Sequence, residues 1–104
     1  RVPMPIIGNK LAFTRKNIDN APDEPGVYAL YVGGHLIYYG QSKTSIRRDL
    51  RDHLAGGMGE CTAIATIYDR ELALKPPTRQ RDLLDEYKRA YGVLPHCNAE
   101  ALNK

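Results

Sequence analysis

The 104-residue chain contains no tryptophan, one phenylalanine and two cysteines, Cys61 and Cys97. The two cysteines and three histidines have neither the CxxC nor the HxxxH spacing that indicates a zinc site. The chain also lacks a signal-peptide pattern and any apolar run long enough to cross a bilayer. We therefore expect a cytoplasmic protein with reduced cysteines and no membrane partner.

A strong excess of either charge is absent as well. The 15 Lys and Arg residues against 12 Asp and Glu residues give a net charge of +3 at pH 7, and 42% of the residues are hydrophobic. This composition is that of a folded domain rather than of a disordered segment. A mildly basic surface is compatible with a nucleic-acid partner but does not by itself indicate one.

The hydrophobic pattern and the turn residues predict one α+β domain with the core order β-β-α-β-α. The predicted elements, in chain order, are a short helix from Thr14 to Asn20, strands at 26–32 and 35–39 joined at Gly33-Gly34, a helix capped by Thr44 or Ser45 and ended by Gly56-Gly57, a strand at 61–68 and a helix at 78–91. The sheet should be small, three-stranded, mainly antiparallel and flanked by helices. Residues 1–24 are predicted to be an N-terminal extension that packs on a domain of residues 25–104.

Three tyrosines lie on the predicted hairpin: Tyr28, Tyr38 and Tyr39. A tyrosine hydroxyl can give or accept a proton, although its usual pKa of ~10 requires help from neighbours at neutral pH. Tyrosine is equally a common strand residue that pairs across a hairpin, so its presence alone does not indicate chemistry. A tight turn sets Tyr28 opposite Tyr39, and a bulge near residues 39–40 is required to bring Tyr38 to the face of Tyr28.

Four cations follow the hairpin: Lys43, Arg47, Arg48 and Arg51. Their side chains could hold phosphate oxygens, and arginine is suited to bidentate contacts. The same pattern fits an exposed helical face with an ion pair between Arg48 and Asp52. Charge alone therefore leaves the choice between a phosphate site and a solvated helix open.

The hairpin and the elements after it resemble the GIY-YIG nuclease family. The residues that carry the resemblance are GVY at 26–28, YYG at 38–40, His53 on the next helix, Leu83-Leu84 on the last helix, and Asn98. Each tripeptide alone is weak, but their order and spacing over residues 25–98, on the predicted elements, are fairly specific. The resemblance implies a GIY-YIG-like fold and a metal-dependent endonuclease.

The resemblance also implies roles for individual residues in the hydrolysis of phosphodiester bonds, more readily in DNA than in RNA. Tyr28 would lie near the attacking water, Tyr38 would help to organise that water, and His53 would order the site or assist proton movement. An arginine would steady the phosphate, and one divalent ion, Mg²⁺ or Mn²⁺, would stabilise charge on the leaving oxygen. Asn98 would support the site from the C-terminal side. The residues expected to contact nucleic acid are Lys43, Arg47, Arg51 and Asn98.

The chain departs from the family at the residue expected to hold the metal ion. The family has a glutamate three residues before the Leu-Leu pair, where this sequence has Gln80. An amide oxygen can reach a cation but brings no negative charge, so it is a poorer ligand for a hard cation. Gln80 indicates either an engineered, inactivating change from glutamate or the use of another acid, with Glu71 and Asp82 as candidates.

A second departure concerns the catalytic arginine, which the family places four residues before the histidine. Counting back from His53 gives Asp49 rather than an arginine. Counting forward from Gly40 favours Arg48. We therefore predict Arg48 as the catalytic arginine, with Arg47 and Arg51 as alternatives.

Two other functions remain open from the sequence. A non-catalytic nucleic-acid-binding module on the same scaffold would account for both departures, and a small protein-interaction domain would fit the modest charge. A module of this size offers few groups for reading bases. Sequence specificity would therefore require a fused specificity domain or a homodimer.

Overall fold

A computed structural model describes residue 6 and residues 8–102 of the chain. The elements, in chain order, are β1 (Leu11–Ala12), α1 (Arg15–Asp19), β2 (Gly26–Val32), β3 (His35–Ser42), α2 (Ile46–Leu54), α3 (Glu60–Ala63), β4 (Ile67–Leu72), α4 (Pro76–Tyr91) and α5 (His96–Leu102). Parts of the predicted extension (residues 1–5 and 7) and of the predicted domain (residues 103–104) lie outside the described residues. The division of the chain into an extension and a domain stays a prediction.

The four strands within the described residues form one antiparallel sheet in the order β1-β4-β2-β3. The predicted α+β class and the antiparallel character of the sheet are confirmed, whereas the expectation of three strands was wrong. The additional strand, β1, consists of Leu11 and Ala12, which pair with Tyr68 and Ile67 of β4. Two residues are too few to produce a recognisable alternation in the sequence.

The strand predicted at 61–68 was also wrong. Residues Glu60–Ala63 form α3, and the strand β4 begins at Ile67. The β-branched residues of this segment favour a strand locally, but Cys61 is bonded to Cys97 and Thr62 is hydrogen-bonded within the core, and such tertiary contacts override local propensity. Most of β4 was not predicted, because its Asp-Arg-Glu run is typical of a surface segment. In the structure Asp69 is buried.

Helices cover both faces of the sheet. On one face, Ile46 and Leu50 of α2 join Leu30 of β2 in a buried cluster. On the opposite face, Leu83 of α4 packs in a second cluster with Val27 of β2. Consecutive residues of β2 thus serve two cores, as the alternation of a strand requires. We name these the α2 face and the α4 face.

The ends of the two long helices agree closely with prediction. Of the two residues considered as the cap of α2, Ser45 is used, since its hydroxyl accepts the N–H of Arg48 at 3.1 Å. Helix α4 begins at Pro76, two residues earlier than expected, and ends at Gly92 in the left-handed conformation with φ of +79°. Helix α5 was not predicted. None of the helices within the described residues is long and apolar enough to cross a membrane.

Cys61 and Cys97 form a disulfide, with their Cα atoms 5.7 Å apart. The expectation of two reduced cysteines was therefore wrong for this structure. The two residues are separated by 36 positions in sequence. Only the fold brings α3 and α5 together, so residue spacing carried no signal of the pair.

Candidate active site

Tyr28 and His53 meet between β2 and α2. The Tyr28 hydroxyl lies 2.8 Å from Nε2 of His53, and Nδ1 of the same imidazole lies 2.7 Å from the hydroxyl of Thr62. The side chains of Tyr28 and His53 are each only 1% exposed. The three groups form a continuous hydrogen-bonded series, in which the imidazole can accept a proton at one nitrogen while donating from the other.

A β-bulge in the hairpin decides which tyrosine faces this series. The pairing register of β2 and β3 shifts by one residue beside Ile37. The expected pairing of Tyr28 with Tyr39 is therefore wrong, and Tyr28 lies opposite Gly40. The bulge itself was anticipated, but at residues 39–40 rather than beside Ile37. Its effect is to bring Tyr38 to the face of Tyr28.

Tyr38 completes an aromatic cluster on the α2 face. Its ring centroid lies 6.3 Å from that of Tyr28 and 5.2 Å from that of the His53 imidazole. Tyr39 belongs to the other core, on the α4 face with Leu83. Of the two tyrosines left open by the sequence, Tyr38 is thus the one beside His53.

Gly40 provides the space that the ring of Tyr28 occupies. A Cβ atom at Gly40 would overlap the ring and would lie 2.6 Å from its hydroxyl oxygen. Directly opposite residues of antiparallel strands are close enough for such a conflict. The glycine of the YYG motif therefore has a steric reason in this chain, because any side chain at residue 40 would displace Tyr28 from His53.

The buried pair is uncharged at neutral pH. Burial lowers the pKa of His53 to about 4, against the opposing charge of Asp52. Burial also raises the pKa of Tyr28, with smaller contributions from Tyr38 and Asp49, and burial likewise raises the pKa of Tyr38. A neutral imidazole thus faces a neutral phenol. Such a pair can relay a proton, but it holds no preformed tyrosinate.

Asp49 lies one helical turn before His53, at the position where the resemblance requires an arginine. Burial raises the pKa of this half-buried carboxyl, and a hydrogen bond with Ser42 offsets part of the rise. The charge of Asp49 contributes in turn to the raised pKa of Tyr28 and of Tyr38. An anion rather than a cation therefore acts on both tyrosine hydroxyls.

Two of the predicted phosphate-binding cations, Arg47 and Arg51, form hydrogen bonds with residues that precede β2. Nε of Arg47 donates to the carbonyl oxygen of Ala21 at 2.9 Å. The guanidinium of Arg51 pairs with the carboxylate of Asp19 on α1, with a shortest contact of 2.8 Å. Both arginines therefore have a structural use, which does not prevent their remaining N–H groups from meeting a phosphate.

Arg48 and Lys43 are more available to a ligand. Both side chains are exposed, and the guanidinium of Arg48 donates to the hydroxyl of Thr44 at 2.5 Å. The charge of Arg48 also partly offsets the raised pKa of Asp49. Arg48 thus lies within electrostatic reach of the carboxylate that acts on the two tyrosines, which keeps it the preferred candidate among the arginines.

Gln80 and Asn98 bond the backbone of Tyr39 at the outer edge of β3. The carbonyl oxygen of Tyr39 accepts an N–H from Gln80 at 3.1 Å and another from Asn98 at 2.9 Å. Oδ1 of Asn98 accepts the N–H of Tyr39 at 2.8 Å. The buried amide of Asn98 thus replaces a strand partner at the edge of the sheet. This geometry describes a supporting residue, while a contact of Asn98 with nucleic acid stays a prediction.

The residues expected to hold a divalent ion do not fit that task. Gln80 offers a neutral amide, and its N–H is used by the Tyr39 carbonyl, a bond that a carboxylate could not donate. Of the alternative acids, Glu71 accepts from Arg79 at 2.6 Å, and Asp82 belongs to α4, the helix on the opposite face from Tyr28. No cation site is formed by these three residues.

A cavity of about 180 Å³ opens beside His53. Its wall includes Tyr38, Thr62 and both cysteines of the disulfide. The cavity gives a ligand access to the edge of the aromatic cluster from the side of α3 and α5. Sequence reasoning missed Thr62 because its segment was predicted as a strand, and nothing in the sequence links this residue to His53.

A scan of known protein-family models and a search of curated proteins found no match to this chain.

Proposed function

We propose that this chain is a nuclease domain of the GIY-YIG type that hydrolyses phosphodiester bonds in nucleic acid, with DNA as the preferred substrate. The observation that supports the proposal most strongly is the convergence of Tyr28, Tyr38 and His53, which come from three different elements. Tyr28 contacts His53 at 2.8 Å, and Tyr38 lies against the same imidazole. These are the three motif residues to which the resemblance gives roles in water activation.

The proposed chemistry is a proton relay through Tyr28. The Tyr28 hydroxyl passes its proton to neutral Nε2 of His53 while it takes a proton from the attacking water. Because Tyr28 is only 1% exposed, substrate binding has to open the site enough to admit that water. The transfer has to be concerted, because the raised pKa of Tyr28 excludes a standing population of tyrosinate at neutral pH. Tyr38 orients the water, and the Thr62 hydroxyl keeps the imidazole in the orientation that receives the proton.

The phosphate is held by cations of the segment between β3 and α2 and of the first half of α2. Exposed Arg48 and Lys43 supply the charge, and Arg48 can make the bidentate contact that a phosphate favours. The approach of a phosphate also requires compensation of the Asp49 charge. Arg48 acts on that carboxylate, so one side chain serves both purposes.

A divalent ion, when bound, would stabilise negative charge on the leaving oxygen. Because Gln80 does not fit such an ion, the relay above uses none of its contacts. The carboxylate that acts on both tyrosines is Asp49, so it is the residue to test as a metal ligand. Mg²⁺ commonly uses one or two protein carboxylates together with substrate oxygens, so one acid is chemically sufficient.

The test is cleavage of supercoiled DNA, single-stranded DNA and RNA with Mg²⁺ or Mn²⁺. We expect metal-dependent cleavage by the unaltered chain and a loss of about 10-fold or more in Asp49→Asn. The matched control is Asp85→Asn, an exposed acid on α4, which should cleave normally. Absence of cleavage of every substrate by the folded chain, including a Gln80→Glu variant, would contradict the proposal.

A non-catalytic nucleic-acid-binding module is the second candidate. It is favoured by the bond of Gln80 to the Tyr39 carbonyl and by the presence of Asp49 where an arginine is expected. It predicts binding that weakens linearly with the logarithm of salt concentration, without cleavage. A chain that neither cleaves nor binds nucleic acid at low salt would instead be a protein-interaction domain.

A further inference from the structure

The disulfide between Cys61 and Cys97 has two further metal-binding side chains beside it. His96 and Glu100 lie one turn apart on α5, and Nε2 of His96 is 3.3 Å from a carboxylate oxygen of Glu100. The potential ligand atoms of Cys61, His96 and Glu100 all lie within 4.8 Å of one another. Within the described residues these three atoms are one imidazole nitrogen, one carboxylate oxygen and the sulfur of Cys61, and the sulfur of Cys97 is bonded to that of Cys61.

The sequence alone argued against such a group, because it contains neither CxxC nor HxxxH spacing. The fold supplies the proximity instead, by joining α3 to α5 across 36 positions. Residues 96 and 100 share a helical face, and Cys97 is linked to the group through its bond to Cys61. Exposure of the His96 and Glu100 side chains, 73% and 47%, leaves both free to reorient toward an ion.

We infer that reduction of the Cys61–Cys97 disulfide creates a zinc site with Cys61, Cys97, His96 and Glu100 as ligands. Two thiolates with an imidazole and a carboxylate are ligands that Zn²⁺ accepts in tetrahedral geometry. Sulfur ligands favour Zn²⁺ over Mg²⁺, which prefers oxygen. This site is separate in chemistry from the oxygen-binding ion of the proposed nuclease reaction.

The conversion is balanced by a dithiol reductant. Two electrons and two protons from the dithiol break the S–S bond and give two thiols, while the reductant becomes a disulfide. Zn²⁺ then displaces the two thiol protons, which pass to the solvent. The two sulfur atoms must separate to about 3.8 Å, the edge of a tetrahedron with Zn–S bonds of ~2.3 Å. In the oxidised state the bond between the sulfur atoms excludes this geometry.

Three of the four proposed ligands, Cys61, Cys97 and Glu100, line the cavity beside His53. A bound ion would therefore occupy the rim that a ligand passes on its way to the aromatic cluster. The reduced chain would bind zinc at this rim, whereas the oxidised chain would leave the rim without an ion.

The test is a titration with Co²⁺, a spectroscopic substitute for Zn²⁺, followed by displacement with Zn²⁺. The protein is compared after treatment with a phosphine reductant and in its oxidised form. We expect one ion per reduced chain, a sulfur-to-cobalt charge-transfer band, and affinity weaker by about 100-fold or more in the oxidised chain. Equal Co²⁺ binding by the two forms would overturn the inference.

Variants test whether α5 supplies ligands. His96→Ala and Glu100→Gln should each weaken Co²⁺ binding about 10-fold or more in the reduced chain. His35→Ala, an exposed histidine of the hairpin, is the matched control and should bind normally. Binding by His96→Ala and Glu100→Gln that matches the control would overturn the ligand set.

Thermal unfolding covers the case in which reduction weakens the fold. Zn²⁺ should raise the unfolding midpoint of the reduced chain, because a ligand of the folded state stabilises it. The same Zn²⁺ should not raise the midpoint of a Cys61→Ser, Cys97→Ser double variant. A reduced chain whose midpoint and near-ultraviolet circular dichroism do not respond to Zn²⁺ would contradict the inference.

Discussion

At the scale of single residues, Tyr28 is confined between the bare Cα of Gly40 and the imidazole of His53. The confinement fixes the hydroxyl at hydrogen-bond distance from Nε2 and keeps both groups almost fully buried. Burial makes the neutral forms dominant, so the pair is suited to concerted transfer rather than to a resident charge.

The titration of His53 follows from this burial. In the folded chain its pKa is lowered to about 4, whereas the unfolded value is 6.5. Between pH 6.5 and pH 4, His53 is therefore protonated in the unfolded chain but stays neutral in the folded chain. The free energy of unfolding consequently decreases as the pH falls through this range. We expect one of the three histidine signals in an NMR titration to shift near pH 4. A His53 signal that titrates near 6.5 would contradict the burial argument.

The contribution of Asp69, on the α4 face, to folding stability has the opposite pH dependence. Burial raises its pKa to about 6, a hydrogen bond from Tyr31 opposes the rise, and its Oδ1 has no hydrogen-bond partner in the described structure. The ionised carboxyl therefore costs stability above pH 6, and this cost disappears as the pH falls and the folded chain binds a proton before the unfolded chain does.

Asp69→Asn should remove that cost. Relative to the unaltered chain, the variant should gain about 2–3 kcal/mol in free energy of unfolding between pH 4 and pH 8, since one pKa unit corresponds to ~1.4 kcal/mol. Urea unfolding at several pH values measures the difference, with Asp85→Asn as an exposed control. A difference between variant and parent that stays constant with pH would refute the assignment of a raised pKa to Asp69.

At the scale of elements, the predicted hairpin and the two long helices formed where the sequence indicated. Their signals are local: Gly33-Gly34 for the turn, Ser45 for the start of α2, and Gly92 for the end of α4. The position of the bulge has no such local signal, because Ile37 and its neighbours are all good strand residues. The register, and with it the choice of Tyr38 over Tyr39, depends on packing against α2 that a local pattern does not contain.

Helix α3 and strand β4 were mispredicted for a related reason. A buried Asp69 and an ion pair between Glu71 and Arg79 allow a charged run to occupy an interior strand. The strand-like residues before it are held in α3, where Thr62 meets His53. Partners distant in sequence decide both cases, so residue patterns could identify the tyrosines and His53 but not Thr62.

Asn98 supports an edge strand, and its removal has a predictable cost. Asn98→Ala deletes two hydrogen bonds and leaves the buried N–H of Tyr39 without its partner. We expect a loss of about 2–3 kcal/mol in the free energy of unfolding. Asn20→Ala, which removes a single exposed bond to the Lys16 carbonyl at 3.3 Å, should cost about 1 kcal/mol or less by the same denaturant measurement. Equal effects of the two substitutions would remove the special role of Asn98.

At the scale of the whole molecule, one covalent link closes the fold between α3 and α5. A loop of 36 residues corresponds to about 3–4 kcal/mol of stabilisation in the chain-entropy description of disulfides. Reduction, or the Cys61→Ser, Cys97→Ser variant, should therefore lower the denaturation midpoint without abolishing the sheet. Denaturant titrations with and without reductant measure the loss. Identical midpoints under both conditions would show that the link contributes nothing to stability.

The adjacent residues Tyr38 and Tyr39 lie on opposite faces of the sheet. This separation provides matched variants for the central claim, because Tyr28→Phe removes the hydroxyl that contacts His53, while Tyr39→Phe removes a hydroxyl on the α4 face. Both substitutions keep the ring and its packing. They differ in whether they interrupt the proposed proton relay.

The most direct measurement is the rate of metal-dependent DNA cleavage by the unaltered chain, Tyr28→Phe and Tyr39→Phe, with DNA binding measured in parallel. We expect Tyr28→Phe to lower the rate by about 10²–10⁴-fold with binding retained, whereas Tyr39→Phe should cleave at the parental rate. Equal rates for Tyr28→Phe and Tyr39→Phe would contradict the claim that Tyr28 and His53 form the reactive centre.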